Sequence, residues 1–236
     1  MTDHQLRDSR CRPFRRLPAA LLLILMLSCA MGSGCINSLV MLSKVMLGDP
    51  VQTSAFEMAT RINLKKSERP VLVHCSSPDF LTIEFGTIAG DVQQELVRKM
   101  RRRGVNVLHT DTAGRILDDR GGKFDAQFLA HECKDTDFIM HIEINEFSYM
   151  EPASHTLYRG KAAGKIVGYE VRGQDSSQPH AVEIFAQRFQ VQYPSSHPVP
   201  VDQTPKNVFI RRFVDNIAAN LGASFYNVAQ SELYSD

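Results

Sequence analysis

Residues 137–149, DFIMHIEINEFSY, decide the fold. Phe138, Met140, Ile142 and Ile144 recur at every second position, so an extended strand places them on one face. Phe147 and Tyr149 then take the opposite parity, which predicts one extra residue, a β-bulge, near Asn145 or Glu146. Two more strands follow, Tyr158–Val171 and Ala181–Tyr193, and the turn-rich stretch Gly173–Pro179 joins them as a hairpin-type connection.

Upstream, Val71-Leu72-Val73-His74-Cys75 is a short β-rich run between Pro70 and Ser76-Ser77-Pro78. Ile88, Val92, Leu96 and Met100 recur every four residues as a helical stripe, and Gly104 stands where a C-terminal cap belongs. Val105–Leu108 is the next expected strand. An Asp- and Gly-rich loop, Asp111–Gly122, leads to a helix carrying Phe124, Phe128 and Leu129. At the far end Thr204 is the expected N-cap, Pro205 the first helical residue, and Phe209, Phe213, Ile217 and Leu221 one stripe. The order β-α-β-α-β-β-β-α makes the class mixed α/β (α+β). Its sheet is five-stranded and mixed, parallel across the first crossovers and antiparallel in the final meander, with helices packed on it.

Composition is that of a folded protein: of 236 residues, 43% are hydrophobic and 22% charged, with a net charge of +1. Arg7, Arg10, Arg12, Arg15 and Arg16 crowd the N-terminus, so a product cleaved after them is near neutral or slightly acidic. That argues against a nucleic-acid partner, which needs a basic surface.

Those arginines precede an uncharged apolar run, Leu17–Met31, and Gly32-Ser33-Gly34 then leads into Cys35. These are the parts of an export signal. Gly34-Cys35 resembles the end of a bacterial lipobox, in which the cysteine thiol is acylated with diacylglycerol before cleavage on its N-terminal side; Gly32 departs from the aliphatic residue of that pattern. Met26-Leu27-Ser28-Cys29 is a second imperfect match. Conventional cleavage after Ala30 and an uncleaved anchor over the charge-free stretch Leu17–Ser43 are the alternatives. The division expected is 1–35 signal, 36–68 tether with a short apolar helix over Ile36–Leu47, and 69–236 one mixed α/β domain. Lipidation of Cys35 makes the membrane the first partner, since each buried CH₂ contributes about 0.8 kcal/mol. Ile36, in place of the Asp of an inner-membrane retention signal, favours the outer membrane.

The element order together with the lipid signal resembles small envelope lipoproteins and periplasmic domains of the LpoB, CsgG and TolB N-terminal group, and secreted proteins of planctomycete bacteria. The resemblance covers about Ser67–Val228 and implies accessory roles in envelope assembly through protein contacts; no residue role carries over beyond the lipidated cysteine.

Motifs of chemistry are weaker. His131, Glu132 and Cys133 lie close in sequence to His141 and Glu143, which share a strand face, but no His-Glu-x-x-His or Cys-x-x-Cys pattern supports a metal site. Gly160-Lys161-Ala162-Ala163-Gly164-Lys165 fails as a phosphate loop because Ile166 stands where Ser or Thr is required; with Gly168 these glycines share a strand face and predict close approach by a helix or a neighbouring backbone. Ser195-Ser196-His197 is not spaced as a catalytic pair, Asp118 and Asp119 read as surface charge, and Arg98, Lys99, Arg101, Arg102 and Arg103 complement a helix C-terminus, with anionic lipid or cell-wall polymer as other contacts. Cys75 and Cys133 are expected as unpaired thiols, because the strand order places them at opposite ends of the sheet. No cofactor and no catalytic residue is expected. The leading reading is a membrane-anchored envelope lipoprotein that binds or scaffolds another protein. Its rivals are a periplasmic hydrolase using the 111–122 loop and the strand ends, and a carrier of a small ligand or lipid.

Overall fold

The computed structural model describes residues 51–174 and 178–229; the Arg-rich leader, Cys35 and the stretch Ile36–Leu47 lie outside the described residues. The elements run β1 (Val51–Gln52), α1 (Ala55–Thr60), a 3-10 turn (Leu64–Lys66), β2 (Val71–Ser76), α2 (Asp79–Phe85), α3 (Ile88–Arg102), α4 (Asp111–Asp118), α5 (Ala126–Glu132), β3 (Phe138–Met150), β4 (Leu157–Arg172), β5 (His180–Tyr193), β6 (Val199–Pro200), α6 (Lys206–Ala223) and β7 (Val228–Ala229). The class is the expected one: a five-stranded mixed sheet, ordered β2-β3-β4-β5 with β6 on β4, carries helices on it. β2 runs parallel to β3 from Val71↔Phe138 to Ser76↔Glu143, and β4 pairs antiparallel with β3 and β5. The bulge falls where the parity changes. Ile144 faces Gly164 and Glu146 faces Ala163, so Asn145 is the extra residue and Phe147 rejoins the buried face.

Each face of the sheet has its own core. Val71, Val73, Cys75, Met140, Ile142 and Ile166 pack beneath the stripes of α3 and α6, joined by Phe56 of α1. On the other face Leu72, Ile139, Val171 and Ala181 pack beneath Ala113 and Leu117 of α4 and Leu129 and Ala130 of α5. Gly104, at φ +83°, closes α3 in the left-handed region, with Val105 N–H donating back to the Met100 carbonyl. The glycines of β4 meet close neighbours as expected. A Cβ at Gly160 would lie 2.5 Å from the Phe213 ring, one at Gly164 1.9 Å from the Glu143 carbonyl oxygen, and one at Gly168 3.2 Å from Met140, Phe185 and Phe56.

Several local expectations are corrected. Val105–Leu108 makes a single parallel bridge, Val71↔Val107, and β6 supplies the fifth strand. The Arg101 guanidinium donates to the carbonyls of Val107 and Leu108, and so takes the Leu108 acceptor that the next ladder bond to β2 would use. The 111–122 stretch is helical in its first eight residues, because Ala113 and Leu117, four apart, bury against the sheet. α5 begins only at Ala126, where the Asp125 carboxylate accepts from the N–H groups of Gln127 and Phe128, so Phe124 precedes the helix. α6 begins at Lys206 with Pro205 in the cap position, and Thr204 caps nothing. The folded unit starts at Val51 and not at Arg69. Phe56 is fully buried, edge-on to Phe138 and Phe185, and its N–H donates to the Ser224 carbonyl.

Candidate functional site

α4 and α5 cover one end of their sheet face and leave the other end polar. His74, Ser76, His141, Glu143, Lys165 and Tyr169 share that face by register: His74 stands beside His141, Ser76 beside Glu143, Glu143 opposite Lys165 and Ile139 opposite Tyr169. Phe124, in the segment between α4 and α5, separates the apolar end from the polar one. Its ring lies flat on His141, centroids 3.6 Å apart at 7°, and stands 5.8 Å from His74.

The electrostatics follow from this lid. Burial lowers the pKa of His141 to about 3, with the neighbouring His74 and Lys165 adding to the shift. Burial also lowers His74, partly opposed by Asp118. Nδ1 of His74 is buried and has no hydrogen-bond partner among the described residues. Glu143 is held by Lys165 at 2.8 Å, and that pair raises the lysine's pKa.

Ser76 Oγ and His141 Nε2 share a hydrogen bond of 2.9 Å, the separation of a nucleophile and its base. The energetics oppose that use. A base is effective when its pKa lies near the working pH, and protonating a group of pKa about 3 at neutral pH costs about 5 kcal/mol. His141 is therefore a neutral hydrogen-bonding ring packed under an aromatic plate.

Beyond the end of β2 lies an open crevice of about 980 Å³, lined by His74, Gln93, His109, Asp111, Arg115 and Asp118. The buried Gln93 side chain ties its walls together, accepting from Cys75 N–H and donating to the Thr110 carbonyl, each at 2.6 Å. Outside the other core, a groove of about 1450 Å³ runs between α3 and α6, lined by six basic and three acidic side chains. Asp215 holds Lys99 at 2.9 Å and Arg98 at 3.6 Å, and Arg98 also pairs with Glu95.

The residues singled out from sequence are mostly scattered. His131 and Glu132 are exposed at the end of α5, Cys133 is buried beneath that helix, and His141 and Glu143 belong to the sheet face. Among the described residues no three His, Cys, Asp or Glu side chains gather as metal ligands would. Asp118 ends α4 and faces His74, whereas Asp119 is exposed outside the crevice. In the loop after β5 the Ser196 carbonyl accepts from Arg159. Cys75 and Cys133 are free and buried in different cores, on opposite faces of the sheet, and burial raises both thiols. Sequence reading missed the stack of His74, Phe124 and His141. Its signal was the polar alternation Leu72-His74-Ser76 beside Ile139-His141-Glu143.

No family model matches the chain, and no curated protein matches it. Among solved structures it is similar to a PelC dodecamer from Paraburkholderia phytofirmans, with 7% identity, 75% of this chain and 98% of that chain covered, and a TM-score of 0.43. It is also similar to protein CT253 from Chlamydia trachomatis, at 11% identity, 66% and 98% coverage and a TM-score of 0.38. A third is the lipoprotein GNA1162 from Neisseria meningitidis, at 11% identity, 65% and 97% coverage and a TM-score of 0.35.

Proposed function

We propose that this protein is a membrane-anchored envelope lipoprotein, acylated on Cys35, whose folded unit acts by binding or scaffolding another envelope protein without catalysis. The observation that carries the reading is the succession of five arginines, the uncharged run Leu17–Met31 and the small-residue approach to Cys35. One further observation supports it. The best-placed nucleophile and base, Ser76 and His141, are a mismatched pair at neutral pH.

The unit also offers a contact surface. On α2, Phe80 and Ile83 are 60% and 86% exposed, while Leu81 of the same helix is buried and Phe85 packs edge-on to Phe147. Exposed aromatic and aliphatic side chains on a packed support suit a protein partner.

Intact mass spectrometry of the full chain extracted from membranes tests the anchor. A polypeptide beginning at Cys35 and carrying acyl chains is expected; an unmodified N-terminus at Met1 or Met31 overturns the lipidation. Cross-linking in intact cells, followed by purification of the full chain, tests the role. A reproducible partner lost in the Phe80→Ser, Ile83→Ser variant is expected, and the absence of any reproducible partner overturns binding as the function.

A further inference from the structure

We infer that the α3/α6 face lies against the surface of an anionic phospholipid bilayer, so that the anchored unit is held in one orientation on the membrane. The inference rests on the anchored reading and adds the face and the lipid charge that it leaves open. Three observations lead to it. The groove between α3 and α6 carries surplus positive charge, and although Arg98 and Lys99 are engaged by Glu95 and Asp215, Arg102, Arg211 and Arg212 are exposed and make no ion pair among the described residues. These cations stand on two helices of one layer, which keeps them on one side of the molecule. The chain also enters the folded unit at this face. Val51 pairs with Ala229 and Gln52 with Val228, and Val228 and Tyr226 line the groove where α3 ends. Arg103 lies over the Tyr226 ring at that end, 5.6 Å from its centroid.

A tether over residues 36–50 spans at most about 50 Å, which keeps the groove within reach of the lipid that holds Cys35. At that range the arginines meet headgroup phosphates at high effective concentration, and even modest attraction per cation is enough to orient the unit. Exposed Val51 at the entry and Val208 on the groove wall add apolar contact at the same surface.

The experiment uses the full chain extracted from membranes and reconstituted on vesicles of phosphatidylcholine alone or with about one-third phosphatidylglycerol. Flotation reports attachment, and modification of individual arginines by phenylglyoxal, read by mass spectrometry, reports orientation. Flotation with both vesicles is expected, with modification of Arg102, Arg211 and Arg212 slowed at least about tenfold on the anionic ones alone. Arg188, exposed on β5, serves as the reference and is unchanged; high salt abolishes the difference at the three arginines, and the triple variant Arg102→Glu, Arg211→Glu, Arg212→Glu serves the flotation arm. Flotation with both vesicles and equal modification on both overturns the orientation while leaving the anchor intact. Flotation with anionic vesicles alone, lost in the triple variant, overturns the anchor and supports the face. Flotation with neither overturns both. Protection of the same arginines by lipid-free cell-wall polymer, and not by anionic vesicles, overturns the lipid as the occupant.

Discussion

Replacing Gly164 by Ala tests the closest approach in the sheet. The added Cβ would stand 1.9 Å from the Glu143 carbonyl oxygen and 2.9 Å from the Phe189 ring. An ordinary C···O contact is about 3.3 Å, so β3 and β4 must separate locally by about 1.4 Å. Bonds of about 2.9 Å across the strands then stretch past 4 Å. Losing two of them costs about 2 kcal/mol, and the displaced core adds about 1–3 kcal/mol, against about 0.5–1 kcal/mol returned by the stiffer unfolded chain. The net expectation is a loss of roughly 3 kcal/mol. Gly90→Ala is the control: it lies inside α3 with nothing within 4 Å of its Cβ, and it should stabilise by about 0.5–1 kcal/mol. Urea unfolding of the full chain, followed by circular dichroism, measures both. Gly164→Ala within about 1 kcal/mol of the parent, with Gly90→Ala behaving as stated, refutes the steric argument.

His141, at about 3 when folded and 6.5 when free, makes stability depend on acid. The unfolded chain takes up a proton below pH 6.5 that the folded chain refuses, so the contribution is complete above 6.5. It is lost as pH falls towards 3, by an amount on the order of 3–5 kcal/mol. Denaturant midpoints across that window should fall in the parent and flatten in His141→Gln; a midpoint near 6.5 in the ring's NMR titration refutes the buried neutral imidazole. Asp137 accepts from Ser67 Oγ–H at 2.6 Å, Arg69 N–H at 3.1 Å and the Gln174 amide at 3.2 Å. Burial works against the charge, but these bonds and Arg69 outweigh it and lower the pKa from 3.8. Asp137→Asn should cost about 1–3 kcal/mol at neutral pH, and the difference should vanish as pH drops through the folded value; a difference constant with pH counts against a charge-assisted cluster. Cys75 and Cys133 should react with a thiol reagent only as the unit unfolds, and a native Cys75–Cys133 disulfide would contradict the strand order.

Long periodic segments were legible because one interaction dominates each of them. The four-residue stripes of α3 and α6 and the alternation of β3 record burial against a single surface, and Gly160, Gly164 and Gly168 record what crowds it. Short elements were less legible because tertiary contacts decide them. α4 is helical through two buried side chains amid Asp and Gly, and Val105–Leu108 loses its ladder to one arginine. Phe56 stands in a short segment without a sustained apolar stripe, and only the distant Phe138 and Phe185 reveal it as core. The sheet-face stack failed for a similar reason: Phe124 gave a helical signal, yet it works by leaving the helix and lying on His141.

The two sides of the sheet divide the molecule's charge unequally, and that division bears on function. Around the open end of the α4/α5 face the imidazoles are kept neutral by burial, and Glu143 is balanced by Lys165. The α3/α6 layer buries its apolar stripes completely, Arg102, Arg211 and Arg212 stand exposed on its outer side, and acids engage only some of its cations. On the anchored reading proposed above, a unit whose α3/α6 groove carries surplus positive charge approaches an anionic surface in a preferred orientation before any contact forms. Phe80 and Ile83 of α2, whose Leu81 and Phe85 pack into the same core as α3 and α6, are the exposed apolar side chains offered to a partner from that layer.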